Sequence, residues 1–388
     1  MSAREWTAVL VELAARLRAV GYSAHALRQR LGVTVPDDVG LLNRAPALER
    51  LRREDTPVAV LARAFYLEAP EPIAALLRAV PRVELKHLVQ VGLLAQRRRT
   101  LTARLRLDIV DDLYVLADRR LEKPDAHALR LPVGDMVYPP GGDSVMLAGV
   151  VPPVEGGRAL DLCTGSGIQA LKLARASGAV VATDIGARAV ALARANAHLN
   201  GIGNVEAREG DLFSPVRAER FDVIVANPPF VPSPRRGPAY HSGGPRGDRV
   251  VQRVVRGLGA HLRPGGRAFA ISHLALAEGE SAAGRLRPWV RDFPGRALAL
   301  VLECGAPVDL AAAQALFALD DGFASYAAEV RLWVDYLRRR RIDRILLLLL
   351  AFERRGRGTF EVLEAFQRTL PIPLSKAPRD LVADWLGR

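Results

Sequence analysis

The ten residues Phe221-Asp-Val-Ile-Val-Ala-Asn-Pro-Pro-Phe230 (FDVIVANPPF) decide how this chain is read. Phe221, Val223, Ile224 and Val225 give the aromatic and β-branched run of a strand covered on both faces. Two successive prolines end it, because each lacks a ladder donor and has a fixed φ. In open α/β sheets, ligands bind beyond the carboxyl ends of the strands. Asn227 is therefore expected at a mouth, above a stiff turn and beside an aromatic ring. That corner suits one chemistry. A planar amine or amide nitrogen is a poor nucleophile because its lone pair is delocalised. The Asn227 side-chain oxygen and a backbone carbonyl of the Pro228-Pro229 turn, that of Pro228, would hold its two N–H groups. The lone pair is then localised and aimed at an electrophile, while Phe230 stacks on the flat group. The plainer alternative is a proline-bounded turn after a core strand.

Outward from this strand, β and α patterns alternate, which predicts a doubly wound, mostly parallel sheet. Strands are expected at 158–162, 179–183, 205–208, 221–226 and 265–272, with two more at 297–303 and 342–352 and a helix opening the tail at 359. Between the first two lies Cys163-Thr-Gly-Ser-Gly-Ile-Gln-Ala170, and Asp184 stands 19 residues after Gly165. Taken alone, this is also the dinucleotide pattern, so an NAD-dependent oxidoreductase must be weighed. Either way, glycines admit close backbone approach and the acid accepts from ribose hydroxyls. Asp211 at the end of the third strand suits an adenine amine. A dehydrogenase needs neither Asp211 nor the Asn-Pro-Pro-Phe turn.

The ordered set Asp161, Gly165, Gly167, Asp184, Asp211 and Asn227 resembles the motifs of class I S-adenosylmethionine-dependent N-methyltransferases. The turn itself is similar to their (D/N/S)PP(Y/F) signature. Tyr138-Pro-Pro-Gly-Gly-Asp143-Ser144 and Gly243-Gly-Pro-Arg-Gly247-Asp248 resemble elements of the HemK-type glutamine methyltransferases. Two departures stand out: Cys163 replaces the first glycine of the turn, and Gly142 replaces an acidic residue. The resemblance covers about 136–275. It implies a seven-stranded Rossmann-like sheet and S-adenosyl-L-methionine as cofactor. The cofactor would be lined by Tyr138, Ser144, Asp161, Cys163, Thr164, Gly165, Gly167, Asp184, Ile185, Asp211, Leu212 and Asn227. The catalytic corner would be Asn227, Pro228, Pro229 and Phe230. A loop at 231–248 offers Arg235, Arg236, Tyr240 and His241 to a substrate. The implied acceptor is a protein glutamine amide. The basic hairpin and the arginine-rich loop lean instead toward an RNA base amine; the alternatives are a small molecule and a nucleic-acid-binding nucleotide sensor without catalysis.

Residues 1–128 read as a separate, mainly helical unit, with 129–388 as the methyltransferase domain carrying an insertion near 310–340 and a C-terminal extension. Helices are expected at 4–19, 23–31, 46–54, 56–67, 71–80 and 83–91. A hairpin should follow, with runs at 101–109 and 113–117 on either side of Asp111-Asp112. Helices followed by a hairpin is a winged-helix order. Arg97-Arg98-Arg99 would make its wing basic; the alternative is a cap whose hairpin docks on the catalytic domain.

The 388 residues carry a net charge of +13, with 49% hydrophobic and 25% charged residues, an ordinary globular balance. Lysine occurs only at 86, 123, 172 and 376, so arginine supplies the excess, as a GC-rich genome does without any ligand. Two cysteines, Cys163 and Cys304, with no close Cys/His cluster, point to a reducing cytoplasm without a metal site. The first residues carry charges inside their apolar pattern, unlike a signal peptide, and the longest apolar run is far short of the roughly 20 residues of a membrane span.

Overall fold

The computed structural model describes residues 3–33, 43–119, 135–234, 243–356, 358–364 and 377–387. The boundary expected near 128 and the extension at 365–376 lie outside them.

The N-terminal unit opens with α1 (Ala3–Ala19), α2 (Ala24–Leu31), α3 (Arg44–Leu51) and α4 (Pro57–Leu61), the last continued by a π turn, Ala62–Tyr66. Ser23 caps α2 by accepting from the Ala26 amide (3.2 Å), and Gly32 closes it with φ of +65°. Then come β1 (Glu71–Pro72), α5 (Ile73–Ala79), α6 (Arg82–Gln90), β2 (Leu94–Arg97), β3 (Thr100–Ala103), β4 (Arg106–Val110) and β5 (Leu113–Ala117). The alternating run 101–109 is not one strand. It breaks at Arg104-Leu105. β3 pairs with β1 and β2 in a three-stranded sheet, and only β4 forms the hairpin with β5. Alternation continues through the break, so periodicity alone could not show it. The tip made by Arg97-Arg98-Arg99 thus belongs to the β2–β3 hairpin.

The second unit holds α7 (Gly142–Val150), β6 (Arg158–Leu162), α8 (Ile168–Leu173), β7 (Ala179–Asp184), α9 (Ala187–Leu199), β8 (Val205–Glu209) and β9 (Phe221–Ala226). It continues with α10 (Arg249–His261), β10 (Leu262–Ala277), α11 (Ala282–Val290) and β11 (Arg296–Gly305). Next are α12 (Pro307–Ala315), α13 (Phe323–Arg339), β12 (Ile342–Glu353), β13 (Thr359–Glu364) and α14 (Pro378–Gly387). Eight strands form one sheet in the order β13-β11-β12-β10-β9-β6-β7-β8. The expected count was seven. The eighth is β13, read from sequence as helix; its Phe360 and Val362 alternate onto the core and it pairs in parallel with β11. All pairs are parallel except those of β12, which runs antiparallel to β10 and β11.

Both faces of the sheet are covered. On one, Val251, Val254 and Leu258 of α10 and Leu286 and Trp289 of α11 pack on Leu160, Ile224 and Ala268. On the other, Leu147 of α7, Val190 of α9 and Trp385 of α14 pack on Val223, Val225 and Phe269. This explains the continuous apolar run from Val223 to Ala226 in β9. None of the described helices is long and apolar enough to cross a membrane.

The hairpin of the first unit docks on the second. Asn196 of α9 exchanges two hydrogen bonds with the Leu116 backbone (both 2.8 Å), and Asn200 does the same with Tyr114 (2.9 and 2.7 Å). Two side-chain amides thus take the place of a neighbouring strand along the β5 edge.

Candidate active site

β6 lies between β7 and β9, so chain direction around the sheet reverses there, and a crevice opens at the carboxyl ends. Leu162 and Ala226, the last residues of β6 and β9, are register partners. The glycine turn and the Asn-Pro-Pro-Phe turn therefore leave adjacent strands side by side, about 4.8 Å apart at their roots.

The N-terminus of α7 stitches the two turns together. Asn227 donates from Nδ2 to Asp143 Oδ2 and to Ser144 Oγ, each at 3.0 Å. The Ser144 carbonyl accepts from Gln169 Nε2 of α8 (2.8 Å). Neither Asp143 nor Ser144 caps this helix. Instead Gly141 stands at the cap position, and both side chains turn to Asn227. A carboxylate can only accept, so the pairing with Asp143 fixes which end of the Asn227 amide is nitrogen. Both Nδ2 hydrogens are engaged, and Oδ1 is the atom the corner presents. The positioning role of Asp143 was missed in the sequence; its place within the Tyr-Pro-Pro-Gly-Gly-Asp-Ser element was the only signal.

Pro228 is buried, while Pro229 and Phe230 are half-buried. The Phe230 ring lies 4.7 Å from that of His273 on β10, tilted by 58°. Behind it, the glycine pair closes tightly: Gly243 donates to the Val231 carbonyl (3.1 Å), and a Cβ on Gly247 would stand 2.2 Å from the Phe230 carbonyl oxygen. Gly247 also has φ of +81°, so glycine is required there twice over. Val231, Trp333, Tyr336 and Leu337 share one apolar cluster with Phe230 at its edge, and Tyr336 Oη donates to the Pro245 carbonyl (2.9 Å). The α12–α13 insertion is thus a wall of the substrate turn, which no local pattern announced. Arg235, Arg236, Tyr240 and His241 lie outside the described residues.

On the other side of the crevice, Cys163, Gly165 and Gly167 all have positive φ: +57°, +53° and +87°. A Cβ on Gly165 would meet nothing within 4 Å, so the turn faces open space there, whereas one on Gly167 would stand 3.1 Å from the α9 backbone at Ala193. Asp184 accepts from the Gly165 amide through Oδ2 and from the Gly186 amide through Oδ1, both at 2.9 Å, which locks the turn to the end of β7. Burial pushes the Asp184 carboxyl up from its ordinary value. Asp161, fully buried, accepts from Thr164 Oγ1 (2.5 Å) and the Ala170 amide (3.0 Å) through Oδ2. Its Oδ1 has no hydrogen-bond partner among the described residues. Burial pushes this carboxyl up to about 7, with Asp184 adding to the effect. Burial likewise pushes the Cys163 thiol up.

Ile185 is 62% exposed immediately after Asp184, and Tyr138 is exposed before α7. Leu212 is buried with φ of +50°, and its carbonyl accepts from Thr183 Oγ1 (3.2 Å). Asp211, expected to meet an adenine amine, is paired through Oδ2 with Arg253 Nη2 of α10 at 2.6 Å. Arg253 was not foreseen, being 42 residues away in sequence. Among the described residues, no group of three or more His, Cys, Asp or Glu side chains is placed to hold a metal ion.

Residues 142–278 match the family Methyltransferase small domain, and residues 19–104 match a Domain of unknown function (DUF7059). A release factor glutamine methyltransferase of Xylella fastidiosa is 39% identical over 121 residues, 28% of this chain and 44% of that enzyme. A ribosomal protein uL3 glutamine methyltransferase of Bradyrhizobium diazoefficiens is 36% identical over 139 residues, 32% of this chain and 44% of that enzyme. The chain thus spans less than half the length of these two relatives. It covers 87% of a release factor glutamine methyltransferase of Cereibacter sphaeroides at 31% identity over 248 residues, 54% of this chain.

Proposed function

Since the chain belongs to the class I N-methyltransferases of the HemK type, the family of the release factor glutamine methyltransferases, we propose that it methylates the side-chain amide nitrogen of a glutamine in a protein. The observation that carries this reading is the orientation of Asn227. With both Nδ2 hydrogens held by Asp143 and Ser144, its Oδ1 is aimed outward as an acceptor for one N–H of a planar amide. The Pro228 carbonyl is the second acceptor in the rigid turn, and Phe230 offers its face to the flat group.

The opposite wall suits S-adenosyl-L-methionine. The open space at Gly165 admits backbone approach, and the exposed Ile185 offers an apolar seat for a purine. Asp184 retains acceptor capacity for ribose hydroxyls. Asp161 Oδ1, without a partner among the described residues, would accept from the ammonium group of the methionyl end. When bound, the cofactor supplies an electrophilic methyl group on sulfonium. What the chain adds is alignment of the acceptor nitrogen and exclusion of water, so no side chain needs to act as a strong base.

The test is labelled methyl transfer into purified release factor, purified ribosomal protein uL3 and total RNA, each with wild type and Asn227→Ala. Label at a protein glutamine, lost with Asn227→Ala, is expected. Label confined to RNA, or a wild-type rate from the variant, would overturn the reading.

A further inference from the structure

The N-terminal unit carries a surface built from residues outside the Asn227 corner and the glycine turn. Helix α4, strand β1, helices α5 and α6 and strands β2 and β3 follow one another, and the three strands lie in the order β1-β3-β2. This is the connectivity of a winged helix-turn-helix, in which α6 takes the recognition position and the β2–β3 turn is the wing.

The wing tip is Arg97-Arg98-Arg99, all exposed. None of the three side chains forms an ion pair or hydrogen bond with a described residue. Elsewhere arginines are spent on carboxylates: Arg16 with Glu84, Arg63 with Glu71, Arg188 with Asp118, Arg296 with Glu353. The tip is also stiff. Gln96 Nε2 donates to the Arg98 carbonyl (3.2 Å), Thr100 Oγ1 to the Arg97 carbonyl (2.9 Å), and the Ile73 amide to the Arg99 carbonyl (3.0 Å). Arg98 has φ of +54° in a two-residue turn where glycine or asparagine would sit without strain. A cation held in a strained position, with no side-chain partner among the described residues, is the pattern of a functional site.

Helix α6 extends the surface. Arg82, Lys86 and Gln90 recur every four residues on one exposed face. The other flank is closed by α1, through Arg16 to Glu84 and through His87 Nδ1 to Glu12 Oε2 (2.9 Å). Arg82, Lys86 and the wing thus present five cations and an amide on one side of the unit.

We propose that the wing tip and the free face of α6 bind the phosphodiester backbone of a nucleic acid. Cations without carboxylate partners, on a rigid frame, are what sequence-independent phosphate contacts require. The Asn227 corner plays no part in this surface, so it stands whichever acceptor the corner takes.

The experiment is fluorescence polarisation of the full chain against labelled duplex RNA and duplex DNA of one sequence across a salt series, with poly-L-glutamate as competitor. Wild type should bind with a steep salt slope, and tighter binding to one duplex identifies which nucleic acid is the source of the phosphates. Arg97→Gln/Arg98→Gly/Arg99→Gln should flatten the slope by about three, one for each lost phosphate contact. Arg98→Gly alone should flatten it by about one while raising the melting temperature, so loss of binding cannot be a folding defect. A wild-type chain that binds neither duplex, a triple variant with an unchanged slope, or displacement by poly-L-glutamate as effective as by RNA of equal charge would each overturn the proposal.

Discussion

At Asn227 the proposed function depends on which atom faces out, and two neighbours decide it. Asn227→Ala should cut turnover on the order of 100-fold while leaving S-adenosylhomocysteine affinity intact, because alignment is what is lost. Asp143 acts through Asn227. Asp143→Ala should lower kcat with little change in KM for the methyl donor, and Asp143→Asn, which still accepts, should restore most of it; steady-state kinetics separate the two. Asp161 supplies a pH signature. Its folded carboxyl, held up to about 7 by burial, lies well above the roughly 3.9 of an unfolded chain. The folded state therefore keeps a proton that the unfolded state gives up between those values. This group's contribution to stability is full below about pH 4 and is lost as pH rises through about 7. Affinity for a ligand ammonium should run the other way, rising through the same window as the carboxylate forms. Thermal melts and S-adenosylhomocysteine titrations of wild type against Asp161→Asn check both, the variant being flat in each. Cys163, at φ of +57°, bears the strain that the missing glycine would avoid, so Cys163→Gly should gain about 1 kcal/mol at this position in urea unfolding.

At the scale of elements, the contacts that hold the site together join distant segments. Asn196 binds the Leu116 backbone in both directions and also the Ser166 carbonyl (2.8 Å). Asn196→Ala leaves buried backbone groups unpaired and should cost about 3 kcal/mol in denaturant unfolding. The ion pairs nearby, Lys172 with Asp111 and Arg175 with Asp112, are exposed on the acidic side, and removing either should change stability by under about 1 kcal/mol. Gly247→Ala drives a Cβ into the Phe230 carbonyl and should raise KM for the acceptor but not for the methyl donor. Such contacts explain what could be read beforehand. The glycine turn, Asp184 and the Asn-Pro-Pro-Phe corner were legible because each is a local pattern with a local physical cause. Asp143, Arg253, His273 and Tyr336 were not, because each becomes relevant only through a partner 42 to 91 residues away or on a neighbouring strand. The split of the run 101–109 was hidden for a related reason: strands of two different sheets can share one alternation.

Across the whole molecule, the sheet order brings two turns from strands 64 positions apart in chain to one edge, the register pairing Leu162 with Ala226. The ligand that fits this edge distinguishes it from a dehydrogenase. S-adenosylhomocysteine at a hundredfold excess over its Kd should stabilise the fold by about 2.7 kcal/mol, read as a thermal shift, and NAD should produce none. By itself the sequence determined the α/β alternation, the proline-stiffened corner and the glycine bend. Those depend on φ, on side-chain period and on ladder donors, which belong to neighbouring residues. Only the tertiary structure decided the eighth strand, the wall that α13 raises beside Phe230, the docking of the hairpin on α9 and the outward turn of the Asn227 oxygen. Each of these is a choice among partners, and a hydrogen-bonding or apolar group does not carry in its own sequence neighbourhood the identity of the distant group that satisfies it.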